Sequence, residues 1–211
     1  MPKDTFFNLP SDKRERIVEA ALSEFEENAF DQASTNKIIE QSGISKGSFY
    51  QYFDDKKDLY KYLIQLIVES KLKYITPAMQ NPFNHDFFEV IHDMNEAGLK
   101  FALDQPRYLK IGTRLMQDKN HALYKEIIAE NQERAMEVYS ALVKNAMERG
   151  ELRADIDVGF TARIIFIMST EIVSLTTNNS YENLTENLTE ILDKLMNLLA
   201  YGIKKTEGKN D

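Results

Sequence analysis

An all-α fold is predicted for this chain of 211 residues. Apolar residues recur at helical spacing in nearly every segment, and no run alternates apolar and polar beside a hairpin signal. Glycine, proline and Asn/Asp clusters cut the sequence into about nine helical stretches, too many for a single bundle layer.

Residues 11–28 give the first helix, with Ile17, Val18, Ala21, Leu22 and Phe25 on one stripe and Ser11 after Pro10 as its cap. Residues 1–9 read as a loose arm. From Ser34 to Phe53 two short helices follow. Ser34 and Thr35 suit a helix start, Gly43 a left-handed stop, and Ser45 a second start. Two short helices joined through a glycine-bearing turn form the helix-turn-helix signature. Asp54 and Asp55 then cap a long helix over 56–74, with Leu59, Leu63, Leu66 and Ile67 inward and Asp58 completing a capping box.

Thr76-Pro77 and Asn81-Pro82 end that helix and mark a boundary. Helices are predicted over 85–103, 106–117 and 122–149, the last stopped by Gly150. The eighth and ninth cover 158–177, capped by Asp155 or Asp157, and 181–203. Turns are predicted at 118–120 and 178–180. The expected organisation is an N-terminal three-helix domain over 11–71, joined through the long helix to a helical domain over 76–205.

The second short helix has two unlike sides. With Phe49 and Phe53 inward, Gly47 and Gln51 point outward, flanked by Ser48 and Tyr50, with Lys46 in the first turn. Small, amide, hydroxyl and ammonium groups beside a glycine suit close approach to a DNA major groove. Charge is awkward for such a partner: the net charge is −8, and residues 1–62 hold nine Lys/Arg against twelve Asp/Glu. The charges are sorted, however. Glu24, Glu26, Glu27 and Asp31 cluster at and just past the end of the first helix, whereas Lys37, Lys46, Lys56 and Lys57 surround the candidate reading helix. Local positive charge can steer DNA while the bulk repels it.

Thr35, Ile38, the run from Gly43 to Tyr50, Tyr52-Phe53, Lys56 and Asp58-Leu59 resemble the signature of TetR-type transcriptional regulators. Tyr52 stands where many members have His, and Asp55 where Ser or Thr is usual. The resemblance implies a ligand-responsive repressor that binds a palindromic DNA operator as a homodimer. Lys46 and Gln51 have the donors and acceptors to read guanine and adenine. Thr35, Ser45, Ser48, Tyr50, Tyr52 and Lys56 are expected on phosphates, with Gly47 allowing approach.

The 158–177 helix is apolar almost all round, and the 181–203 helix carries a leucine stripe. A side left over after core packing predicts a four-helix bundle between two copies, as TetR-type proteins use their last helices. The resemblance also implies a pocket for a small apolar or aromatic effector. Phe101, Tyr108, Met116, Tyr124, Asn131, Met168 and Thr170 are its candidates, apolar walls with two orienting polar groups.

Catalysis finds little support in the sequence. His85, His92 and His121 are the only histidines, Cys is absent, and no HExxH, glycine-rich phosphate loop or nucleophile elbow appears. No catalytic group, metal or cofactor is expected. The N-terminal residues lack a signal-peptide apolar run and no stretch suits a bilayer, so no membrane partner and a cytoplasmic location are expected.

Overall fold

A computed structural model of the chain describes residues 1–117, 121–171 and 184–203, and every element among them is helical. The helices are α1 (Asp4–Phe7), α2 (Ser11–Glu27), α3 (Thr35–Ser42), α4 (Lys46–Tyr52), α5 (Lys56–Leu72) and α6 (Pro77–Gln80). After a single turn at Pro82–Asn84 come α7 (Phe87–Asp104), α8 (Pro106–Gln117), α9 (Ala122–Tyr124), α10 (Glu130–Glu148), α11 (Val158–Glu171) and α12 (Leu184–Ile203). The predicted all-α class holds. The turns predicted at 118–120 and 178–180 lie outside the described residues.

Two compact units result. One comprises residues 1–72 with 105–127, the other 73–104 with 128–211. In the first unit α2 packs on α3, α5 and α8, while α1 packs on α4. Its fully buried side chains include Phe6, Ile17, Phe25, Ile38, Phe49, Phe53, Leu59 and Leu63, the inward stripes of helices that leave their charged faces to water.

Helix α8 is held in the first unit by charge as well as apolar contact. Arg107 donates to Glu26 at 2.8 Å, Glu19 at 2.6 Å and the Ser23 hydroxyl at 3.0 Å, all on α2. Its planar fork suits several acceptors at once. A π-helical turn over Lys125–Ala129 interrupts the single helix predicted for 122–149. Within it Glu126 pairs with Lys57 and Lys61 of α5, and the Lys61 ammonium holds the Glu126 carboxyl below its usual range.

The second unit is built from α6, α7, α10, α11 and α12 around Val90, Ile91, Val143, Ala162, Ile165, Leu192, Leu195 and Leu199. Gly150 ends α10 at φ 74°, with the Gly150 and Glu151 amides returning to Met147 and Ala146 at 3.0 and 2.9 Å. Asp157 caps α11 through a 2.6 Å bond from the Phe160 amide. No described helix is long and apolar enough to cross a membrane.

Candidate nucleic-acid interface

The turn between α3 and α4 is set by three residues. Ser34 accepts from the Lys37 amide at 3.3 Å and starts α3. Gly43 stops it at φ 66°, ψ 32°, where the Gly43 and Ile44 amides reach back to Glu40 and Ile39 at 3.1 and 3.3 Å. Ser45 then accepts from the Ser48 amide at 3.0 Å and starts α4. At the start of α3 lies Glu24, only 3% exposed. Its Oε1 accepts from the Ser34 amide at 2.7 Å and from Asn28 Nδ2 at 3.1 Å, and Lys37 Nζ stands 4.0 Å from Oε2. This carboxylate ties α2 to the start of α3, where helix geometry favours negative charge.

Helix α4 is divided as its sequence predicts. Phe49 and Phe53 are wholly buried, their rings tilted against each other with centroids 5.3 Å apart. Ser45, Lys46, Gly47, Tyr50 and Gln51 are exposed, while Thr35 and Ser48 are half-buried. Lys46 makes no ion pair among the described residues, so its charge is available to a ligand. A Cβ built on Gly47 would meet only the Ser45 hydroxyl, at 3.8 Å. The fold itself therefore does not demand glycine there.

Two candidates sit elsewhere than on an open face. Tyr52 is 6% exposed, its ring 6.4 Å from Phe6 and its hydroxyl accepting from Lys13 Nζ at 3.2 Å. Lys56 does not reach into solvent at the start of α5. Its ammonium donates to the carbonyls of Phe30, Ala33 and Asp31 at 2.5, 2.9 and 3.3 Å and lies 4.6 Å above the Phe30 ring. Three donors meet three acceptors, which leaves none for a phosphate in this arrangement. The N-terminal arm also departs from expectation. It forms α1, buries Phe6 completely and bonds to the end of α4.

The effector candidates divide between the units. Tyr108, Met116 and Tyr124 belong to the first, and Phe101, Asn131, Met168 and Thr170 to the second. Phe101 is buried edge-on to Tyr74 at 5.9 Å, and Met168 packs against the second unit's core. Asn131 is exposed, and the Thr170 hydroxyl donates to the Ile167 carbonyl of its own helix. His92, Asp93 and Glu96 bring ligand-type atoms within 4.8 Å of one another. Asp93 already accepts from Thr76 at 2.6 Å and Glu96 pairs with Lys100 at 3.0 Å, which is ordinary surface chemistry.

Comparison with known proteins bears on the turn directly. Residues 17–63 match the family model for bacterial regulatory proteins of the tetR family. A crystal structure of a TetR family transcriptional regulator from Chloroflexus aurantiacus is 31% identical. That likeness covers 98% of this chain and 100% of the other, with a TM-score of 0.78.

The chain belongs to the TetR family.

It is thus one of a family of DNA-binding transcriptional regulators, with the helix-turn-helix at residues 34–53. An HTH-type transcriptional regulator of Staphylococcus aureus is 28% identical over 119 residues, 55% of this chain. That match spans 63% of the length of the S. aureus protein. A Bacillus subtilis regulator, FadR, solved in complex with stearoyl-CoA, is 22% identical and shares the fold, with a TM-score of 0.65 over 86% of this chain and 97% of that one. Within the TetR frame, sequence reasoning missed Glu24, Lys13 and α1. A lone Glu on a helix gives no sign that it will be buried, and a four-residue helix has too few turns for a period.

Proposed function

We propose that this TetR-family regulator is a repressor that binds a palindromic operator as a homodimer and leaves it when a small apolar or aromatic effector binds the domain over 76–205. The observation that carries the DNA half is the exposed side of α4, where Lys46, Gly47, Tyr50 and Gln51 lie opposite the buried Phe49. Lys46 and Gln51 read bases, and Thr35, Ser45, Ser48 and Tyr50 position the helix on phosphates.

The homodimer is supported by apolar surface on the last two helices. Phe160, Ile164 and Ile167 of α11 are 67%, 37% and 47% exposed, at spacings that share one helix side. Leu198 and Tyr201 of α12 are 63% and 89% exposed. For the effector, support comes from the buried Phe101, from the half-buried Met168 beside the second unit's core, and from the similar fold that holds stearoyl-CoA in the B. subtilis protein. A ligand acts here by favouring one of two arrangements of the paired reading helices.

The direct test is a mobility shift with DNA from upstream of the chain's own gene. Lys46→Ala is expected to weaken binding by about 1–3 kcal/mol per half-site with dimer and melting unchanged. Unaltered affinity would remove Lys46 from the interface. Gly47→Ala separates fold from function in one substitution. The chain accommodates the methyl group, and alanine favours the helix by up to about 1 kcal/mol, so stability holds or rises. DNA binding is expected to fall by about 1–3 kcal/mol because the added carbon meets the duplex. Equal affinity in the two proteins would show that α4 does not approach DNA closely at this point.

A further inference from the structure

The last four carbonyls of any helix lack partners within it. In α3 and α10 a left-handed glycine closes that end. Helix α4 has no such residue: Phe53 follows it in extended conformation at φ −133° and satisfies only the Phe49 carbonyl, at 2.9 Å. The other three carbonyls are met from the far N-terminus of the chain. Lys3 Nζ donates to Tyr50 at 3.0 Å, the Thr5 hydroxyl to Gln51 at 2.5 Å and the Lys3 amide to Tyr52 at 2.8 Å. Phe6 locks the arrangement, fully buried with its ring 5.0 Å from Phe53 and 5.3 Å from Tyr62.

We infer that residues 3–6 are a positioning element of the DNA reader, a cap supplied in trans along the sequence that fixes the end and tilt of α4. At seven residues α4 is too short to hold its shape alone. Two residues of its exposed side, the phosphate-positioning Tyr50 and the base-reading Gln51, are among the three whose carbonyls the segment takes. The Lys3 ammonium also sits at the negative end of the helix, where a cation stabilises it. Lys3 and Thr5 thus set affinity through α4, and the side chains on its outer face meet the bases. This inference rests on the DNA-binding reading of α4 given above.

The test uses the full-length chain with Thr5→Val, Thr5→Ser and Lys3→Met. Operator affinity is measured across a salt series, and hydrogen exchange is followed at the α4 amides. Thr5→Val keeps shape and loses the donor. It is expected to weaken operator binding about threefold to tenfold and to speed exchange at Phe49 to Phe53, and Thr5→Ser is expected to restore both. Lys3→Met is expected to weaken binding with the slope against salt unchanged, because a lysine on a phosphate would lower that slope by about one per contact. Wild-type exchange and affinity in Thr5→Val would overturn the inference. A reduced salt slope in Lys3→Met would also overturn it, by making Lys3 a direct contact. If the unaltered protein binds no DNA, the reading of α4 fails instead, while the exchange measurement still decides whether the cap exists.

Discussion

Ile164→Glu is expected to turn the protein into a monomer at micromolar concentration. Ile164 is 37% exposed in the isolated chain, between Phe160 at 67% and Ile167 at 47% on one side of α11. An apolar side chain of this size gains roughly 1.5–3 kcal/mol on full burial. In the proposed homodimer a two-fold axis sets the same patch of each copy against the other. A glutamate at the centre therefore places two carboxylates in one apolar contact, without partners, which costs several kcal/mol. Two linked reading helices bind more tightly than one by about 10²–10⁴ in affinity. Operator binding is expected to fall by that order, although α4 lies in the other unit and is untouched. Sedimentation and a mobility shift on the same preparation read both effects. A variant that still sediments as a dimer would move the interface away from α11.

Lys56→Met is expected to lower stability by about 2–3 kcal/mol and to leave the salt dependence of DNA binding unchanged. The ammonium serves the Phe30, Asp31 and Ala33 carbonyls and covers the Phe30 ring, so its loss strands acceptors in a partly buried turn. The family signature suggests the opposite outcome, a phosphate contact whose removal spares stability and lowers the salt slope by about one per subunit. Denaturant unfolding beside a salt titration distinguishes the two. Wild-type stability with a reduced slope would return Lys56 to the interface.

Lys56 also shows where sequence reasoning stops. The caps Ser34 and Ser45, the stop at Gly43 and the inward turn of Phe49 are local. Each depends on residues within about one helical turn, and the structure places them as the pattern predicts. A long flexible side chain is different. Lys56 is directed by carbonyls 23 to 26 positions earlier, which no period records. The same holds for α1 and the Lys3 that precedes it, whose hydrogen bonds to α4 span 46 to 49 positions along the chain. Helix α8 joins the first unit through Arg107 and three groups of α2 more than eighty positions away. Tyr52 was legible as an aromatic next to Phe53, yet its burial depends on Phe6.

The most direct measurement is chemical protection of guanine N7 along an operator fragment by the bound protein. That atom lies on the floor of the major groove, where an entering helix covers it. Two protected patches are expected about one helical turn, 34–36 Å, apart, both lost in Lys46→Ala. Binding that leaves every guanine N7 open, or covers one patch that persists in Lys46→Ala, would contradict this reading of α4.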